Sequence, residues 1–176
     1  NKVNVTVIAS NGNKTYGSVK TYAGTEFTTS GTFYNGDEVT GVTLTSAGDP
    51  GTATVAGSPY DIVPSAAAGT GLDNYIISYT NGTLTVDPAA VTVIANNGSK
   101  TYGSLKTYAG TEFTISGTLY NTDAINIVSL SSPGDPVTAV VNTYTILVSG
   151  ASGSGLGNYT ISYTTGTLTV NPAAVT

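Results

Sequence analysis

KTYGSVKTYAGTEFT, residues 14–28, returns as KTYGSLKTYAGTEFT at residues 100–114, with Val19 against Leu105 as the one change. The match extends outward on both sides. An offset of 86 residues runs from Val5/Val91 through Pro50/Pro136, and an offset of 84 runs from Tyr60/Tyr144 onward. The two residues lost between Gly51 and Tyr60 mark a loop that tolerates change. The chain is therefore two copies of one module of about 85 residues, near the lower size at which a core holds a fold unaided. The boundaries expected are 1–88 for the first module and 89–174 for the second. Pro172 to Thr176 repeat Pro88 to Thr92, so residues 175–176 read as the start of a third copy, and the chain as part of a longer array.

Within a copy, short runs of β-branched and aromatic residues lie between Gly, Asn, Asp and Pro clusters, and no helical period persists. The pattern predicts an all-β fold. Strands are expected at Val5 to Ala9, Glu26 to Phe33, Val39 to Ser46, Tyr60 to Val63, Tyr75 to Thr80 and Thr83 to Asp87, with Gly12, Gly17, Gly24 and Gly31 as punctuation. Asn81-Gly82 is expected to turn the last two strands into a tight hairpin. The second copy has Thr165-Gly166 there, so only the glycine is common. Six or seven strands suggest a small immunoglobulin-like β-sandwich without the Cys pair and core Trp. The alternative is a β-grasp-like module, whose helix would have to come from Tyr34 to Val42 or Ser65 to Tyr75, both poor in helix formers. The join Val86-Asp87-Pro88-Ala89-Ala90-Val91 leaves about three residues between modules, too few for a floppy linker, and a rodlike array is expected.

Composition narrows the function classes. The chain has 5 Lys and 10 Asp plus Glu for a net charge of −5, no Arg, no His, no Cys and no Trp. Nucleic acid and anionic membrane surfaces demand clustered cations, which are missing. No disulfide or thiolate chemistry is available. No apolar run reaches the ~18 residues of a membrane-spanning helix. With no His, Cys or Arg, catalysis would be left with a Ser-Lys dyad or a carboxylate pair, and neither has a supporting context. No cofactor is implied.

The duplication filters the remaining side chains. All twelve Tyr recur, as 16/102, 22/108, 34/120, 60/144, 75/159 and 79/163, which points to structural roles rather than a stacking platform for a sugar. Lys14/Lys100, Lys20/Lys106, Glu26/Glu112, Asp37/Asp123 and Asp49/Asp135 recur, whereas Glu38, Asp61, Asp73 and Asp87 do not. Lys20 with Glu26 reads as a surface ion pair, worth under ~1 kcal/mol. A sharper possibility is an intramolecular isopeptide bond. By residue type, Lys14 or Lys20 with Asn74 or Asp49 as acceptor and Glu26 as acid would serve, and likewise Lys100 or Lys106 with Asn158 or Asp135 and Glu112. Asp37 and Asp49 read as solvated turn residues, since no DxDxDG run supplies the six to eight oxygens calcium wants. Segments such as Thr83-Leu84-Thr85 reflect strand alternation rather than an ice-binding face.

VTVIAxNGxKTYG near the start, YNxD in the middle (Tyr34 to Asp37, Tyr120 to Asp123) and NYxISYTxGTLTVxPAA at the end resemble the MBG repeats of the YGX type, over nearly the whole of both modules. The resemblance implies an extracellular all-β repeat used in tandem in large bacterial surface and secreted adhesins, and no catalytic residue. The expected role is a stalk whose partners are neighbouring repeats, with any cell-surface or glycan ligand met by other domains. Direct binding of a glycan or host protein by the repeats, or assembly into an extracellular fibre through sparsely charged strand edges, are the alternatives.

Overall fold

The computed structural model describes residues 1–175, which fall into two compact units, the first Asn1–Pro88 and the second beginning at Ala89. Thr176, and with it half of the expected third-copy start, lies outside the described residues.

The first unit contains β1 (Val3–Ala9), β2 (Gly12–Thr15), β3 (Phe27–Ser30), β4 (Glu38–Ser46), β5 (Tyr60–Thr70), β6 (Tyr75–Thr80) and β7 (Gly82–Asp87). They form a three-stranded sheet ordered β3-β1-β6 and a four-stranded sheet ordered β2-β7-β5-β4. Val5, Val7 and Ala9 of β1 alternate inward, and Val7 and Ala9 pack with Val42 and Leu44 of β4, Ile62 of β5 and Leu84 of β7. Leu84 is 0% exposed. A Leu or Ile removed from water in this way contributes ~1.5–3 kcal/mol, and burial of this kind supports a module that has no disulfide. The second unit repeats the plan with β8 (Ala89–Ala95), β9 (Gly98–Thr101), β10 (Phe113–Gly117), β11 (Ala124–Ser131), β12 (Asn142–Ser154), β13 (Tyr159–Thr164) and β14 (Gly166–Asn171). Its sheets are ordered β10-β8-β13 and β11-β12-β14-β9.

The all-β expectation holds. The stretches proposed for a β-grasp helix carry parts of β4 and β5, with a three-residue 3-10 turn at Leu72–Asn74 as the only helical piece between them. β5 runs to Thr70 rather than stopping at Val63.

The hairpin expected at Asn81-Gly82 is corrected. β6 lies in the three-stranded sheet beside β1, and β7 lies in the other sheet beside β5 and β2. The chain passes straight from one sheet to the other at this corner, and neither Asn81 nor Gly82 has positive φ. β1 and β2 make the same passage alongside, through Ser10 and Asn11, and Asn11 Oδ1 accepts the Thr83 N–H at 2.8 Å. Gly82 is needed for close approach: a Cβ there would stand 2.6 Å from the Ala9 carbonyl oxygen and 2.7 Å from that of Ser10. Gly166 meets Ala95 and Asn96 in the same way. This explains why the second copy keeps the glycine and changes the asparagine to Thr165.

The primed turn lies elsewhere, at Asn35-Gly36, with φ of 56° and 79° and the Asp37 N–H donating to the Tyr34 carbonyl at 2.9 Å. In the second module Asn121 and Thr122 hold φ of 55° and 75°. A β-branched residue in the left-handed region costs ~1–2 kcal/mol. Thr122→Gly should therefore stabilise the second module by ~1 kcal/mol despite the added freedom of its unfolded chain, read as a higher calorimetric midpoint.

Candidate functional site

Three of the duplicated polar residues, Lys14, Tyr22 and Asp49, converge where β2 leaves the four-stranded sheet and meets the loop after β4. Lys14 sits at the inward-facing third position of β2 and is only 7% exposed. Its Nζ donates to the carbonyls of Ser18 at 2.9 Å and Asp49 at 3.2 Å, and to that of Pro50. An ammonium has three N–H donors, and here each meets a main-chain carbonyl. Lys100 is 8% exposed and repeats the cage with Ser104 at 3.0 Å, Asp135 at 3.1 Å and Pro136. Burial lowers the pKa of Lys14 from its ordinary 10.5, and the nearby Asp49 charge opposes that shift.

Asp49 is half-buried and bonded rather than solvated, which corrects the expectation for it. Its Oδ1 accepts the Tyr22 hydroxyl at 3.0 Å, its Oδ2 accepts the Ser46 N–H at 2.8 Å, and its carbonyl accepts the Lys20 N–H at 2.9 Å. Burial and then the Asp49 carboxylate push the Tyr22 phenol above its ordinary pKa, so it remains a donor at any physiological pH. Tyr108 and Asp135 repeat the arrangement. Asp37 likewise accepts a phenol proton, from Tyr75 at 3.1 Å, while the same Tyr75 oxygen accepts the Tyr34 N–H at 2.8 Å. Tyr159 does so with Asp123 at 2.9 Å and the Tyr120 N–H at 2.7 Å.

Glu26 is turned onto its own bend, where Oε1 accepts the Ala23 N–H and Oε2 those of Gly24 and Thr25, at 2.9, 2.9 and 3.1 Å. Glu112 repeats this with Ala109, Gly110 and Thr111. In place of the surface ion pair expected with Glu26, Lys20 Nζ stands 5.5 Å from the centroid of the Tyr22 ring, and Lys106 Nζ 5.2 Å from that of Tyr108. The bonds from Ala23 first, then those within the same turn, hold Glu26 below its ordinary 4.5. A depressed folded value means that the turn's stabilisation is complete above about pH 4.5 and is lost as pH falls through the lower folded value. Midpoints measured across that interval should show the loss in the native chain, and Glu26→Gln with Glu112→Gln should flatten it.

The cage brings Lys14 and Asp49 together through the Asp49 carbonyl, whereas Asn74 Nδ2 caps the Gly71 carbonyl at 3.1 Å in the 3-10 turn. Asn158 does the same with Gly155 at 3.1 Å. Intact mass reads the isopeptide possibility directly. The bonding described here predicts the full sequence mass, and a chain lighter by one ammonia or water per module would establish the cross-link. Among the described residues there is no cluster of three or more His, Cys, Asp or Glu able to hold a metal, no enclosed pocket, and no buried side-chain polar atom without a partner.

What sequence reasoning missed is the target of these side chains. Their duplication marked them as needed, but the partners of the lysine cage and of Glu26 are main-chain groups, which are the same in every residue and leave no trace in composition.

Fold and site together define a tandem all-β repeat whose duplicated polar side chains bond its own backbone or one another. The chain belongs to the MBG domain (YGX type) family, whose sequence model matches residues 5–85 and again 91–169. Among solved structures, a cell surface adhesin from Lactobacillus reuteri aligns with 49% of this chain and 99% of its own at 23% identity, with a TM-score of 0.30. A comparison with curated proteins found no match.

Proposed function

We propose that these modules are spacer repeats in the stalk of a bacterial cell-surface or secreted adhesin, carrying a binding domain that lies elsewhere in the full protein. One observation carries the reading. The cage lysines, the turn glutamates and the Tyr–Asp pairs are held in both modules by main-chain partners or by each other. A recognition site keeps polar groups available for its ligand, whereas a spacer uses them to hold its own shape. β7 ends at Asp87 and β8 begins at Ala89, so Pro88 alone separates the last strand of one module from the first of the next. A stalk gains from such a link, because a single proline admits little slack. The low charge and hydroxyl-rich surface suit an extracellular setting.

The test is binding by the two-module chain. A glycan array and a pull-down from host-cell surface extract are expected to give no saturable signal. Saturable, competable binding would overturn the spacer reading in favour of a recognition module. Sedimentation across a range of concentrations is expected to show one non-associating species, and reversible growth with concentration would instead favour a fibre.

A further inference from the structure

We infer that each module is a shear clamp: its first and last strands are paired in parallel so that tension applied through the chain ends loads their hydrogen bonds all at once. The inference rests on the stalk reading, since only a chain pulled from its ends would use it.

β1 pairs with β6 in parallel over six residue pairs, from Val3↔Tyr75 to Ile8↔Thr80. After both chains cross to the other sheet, β2 pairs with β7, again in parallel, over four, from Gly12↔Leu84 to Thr15↔Asp87. The N-terminal segment Val3–Thr15 and the C-terminal segment Tyr75–Asp87 thus run side by side in the same direction along the whole module. The entering chain attaches at the Val3 end and the leaving chain at the Asp87 end, the opposite end of this paired track. Pulling them apart slides one segment along the other, and no bond breaks first. In an antiparallel pair pulled from one end, by contrast, the bonds open one after another, each bearing the load alone.

Three further features keep the track from peeling. The Thr6 and Ser78 hydroxyls are 2.8 Å apart across β1 and β6. The Asn11 side chain accepts the Thr83 N–H at the corner. Lys14 rivets the short strand β2 to the Ser18 turn and to the Asp49-Pro50 loop. The second module has the same track, β8 with β13 over six pairs and β9 with β14 over four, with Thr92–Ser162, Asn97–Thr167 and the Lys100 cage in the same places. The link through Pro88 joins β7 directly to β8, so tension leaves one clamp and enters the next without an intervening loop.

Because the chain has no cysteine, handles can be placed uniquely at introduced cysteines for single-molecule force measurements on the whole two-module chain. Handles at Asn1 and Val175 load both tracks in shear. Handles at Glu38 and Thr70, exposed register partners where β4 begins and β5 ends, open the antiparallel β4·β5 ladder of the same module from one end. The expected result is two end-to-end unfolding events of similar force, several-fold above the force at which the Glu38–Thr70 geometry opens. Equal forces in the two geometries, or a weaker end-to-end event, would overturn the clamp. The comparison needs no variant that weakens the fold. It fails independently of the stalk reading, which falls to ligand binding and not to a force.

Discussion

Replacing Lys14 by alanine should lower the thermal midpoint of the first module by ~12 °C or more while leaving the second module's transition in place. The side chain is 7% exposed and its ammonium satisfies three carbonyls. A hydrogen bond to a charged group contributes ~1.5–3 kcal/mol, and a buried acceptor left without a partner costs ~1–3 kcal/mol. Water entering the vacated cage offsets part of this, so the net loss should be ~3 kcal/mol. For a domain of this size each kcal/mol shifts the midpoint by ~4–8 °C. Lys14→Met separates the two contributions, since it keeps the apolar stem and discards the three donors. If the carbonyls are what matter, methionine should be nearly as damaging as alanine. A near-native midpoint for Lys14→Met would mean that the stem packing, not the cage, is the stabilising part. Lys100→Met should reproduce the result in the second module, and calorimetry of the intact chain reads both.

Gly82→Ala should cost the first module ~2–3 kcal/mol, although alanine is the smallest side chain available. The added Cβ would lie 2.6 and 2.7 Å from two main-chain oxygens. Backbone atoms cannot rotate away as a side chain can, so the two crossing segments must part, and overpacking of this kind costs ~1–3 kcal/mol even where neighbours can yield. Asn81→Thr, the residue the second copy carries at Thr165, should change stability by under ~1 kcal/mol. The contrast between the two substitutions separates a sheet-to-sheet crossing from a tight hairpin. At a hairpin turn of primed type, Asn81→Thr would be strained as well. Urea or thermal unfolding of the two variants decides it, and a costly Asn81→Thr with a harmless Gly82→Ala would contradict the crossing. The same substitutions also disturb the corner through which the shear track passes, so Gly82→Ala should weaken the first module under tension as well as on heating.

Local signals and tertiary ones divided cleanly along the chain. The alternation Val5, Val7, Ala9 marked β1 and its buried face, because a period of two is written in side chains and survives without context. β4 and β7 were legible for the same reason. β2 was not: four residues of GNKT carry no alternation of apolar and polar types, and the one inward side chain is a lysine. Its strand exists because β7 offers a parallel edge and the cage accepts the ammonium. The far half of β5, Pro64 to Thr70, reads as a loop by composition and becomes a strand by pairing with the bulged β4.

The turn at residues 81–82 shows the limit most directly. Asn-Gly is compatible with a primed hairpin and with a close-packed crossing, since glycine serves both a positive φ and a missing Cβ. Only the neighbours, Ala9 and Ser10 in the other crossing segment, choose between them.

By itself the sequence determined that the protein is two copies of an all-β module, without cysteine chemistry, that resembles MBG repeats, and it singled out the lysines, tyrosines and carboxylates a copy cannot lose. Duplication and periodicity are one-dimensional, so a chain records them in full. The tertiary structure alone decided that Lys14 and Lys100 close on main-chain carbonyls, that β6 and β7 part into different sheets, and that the first and last strands run parallel. Each of these depends on which backbone group comes to lie opposite which, and backbone groups are chemically alike at nearly every position, so their pairing becomes visible only in the folded chain.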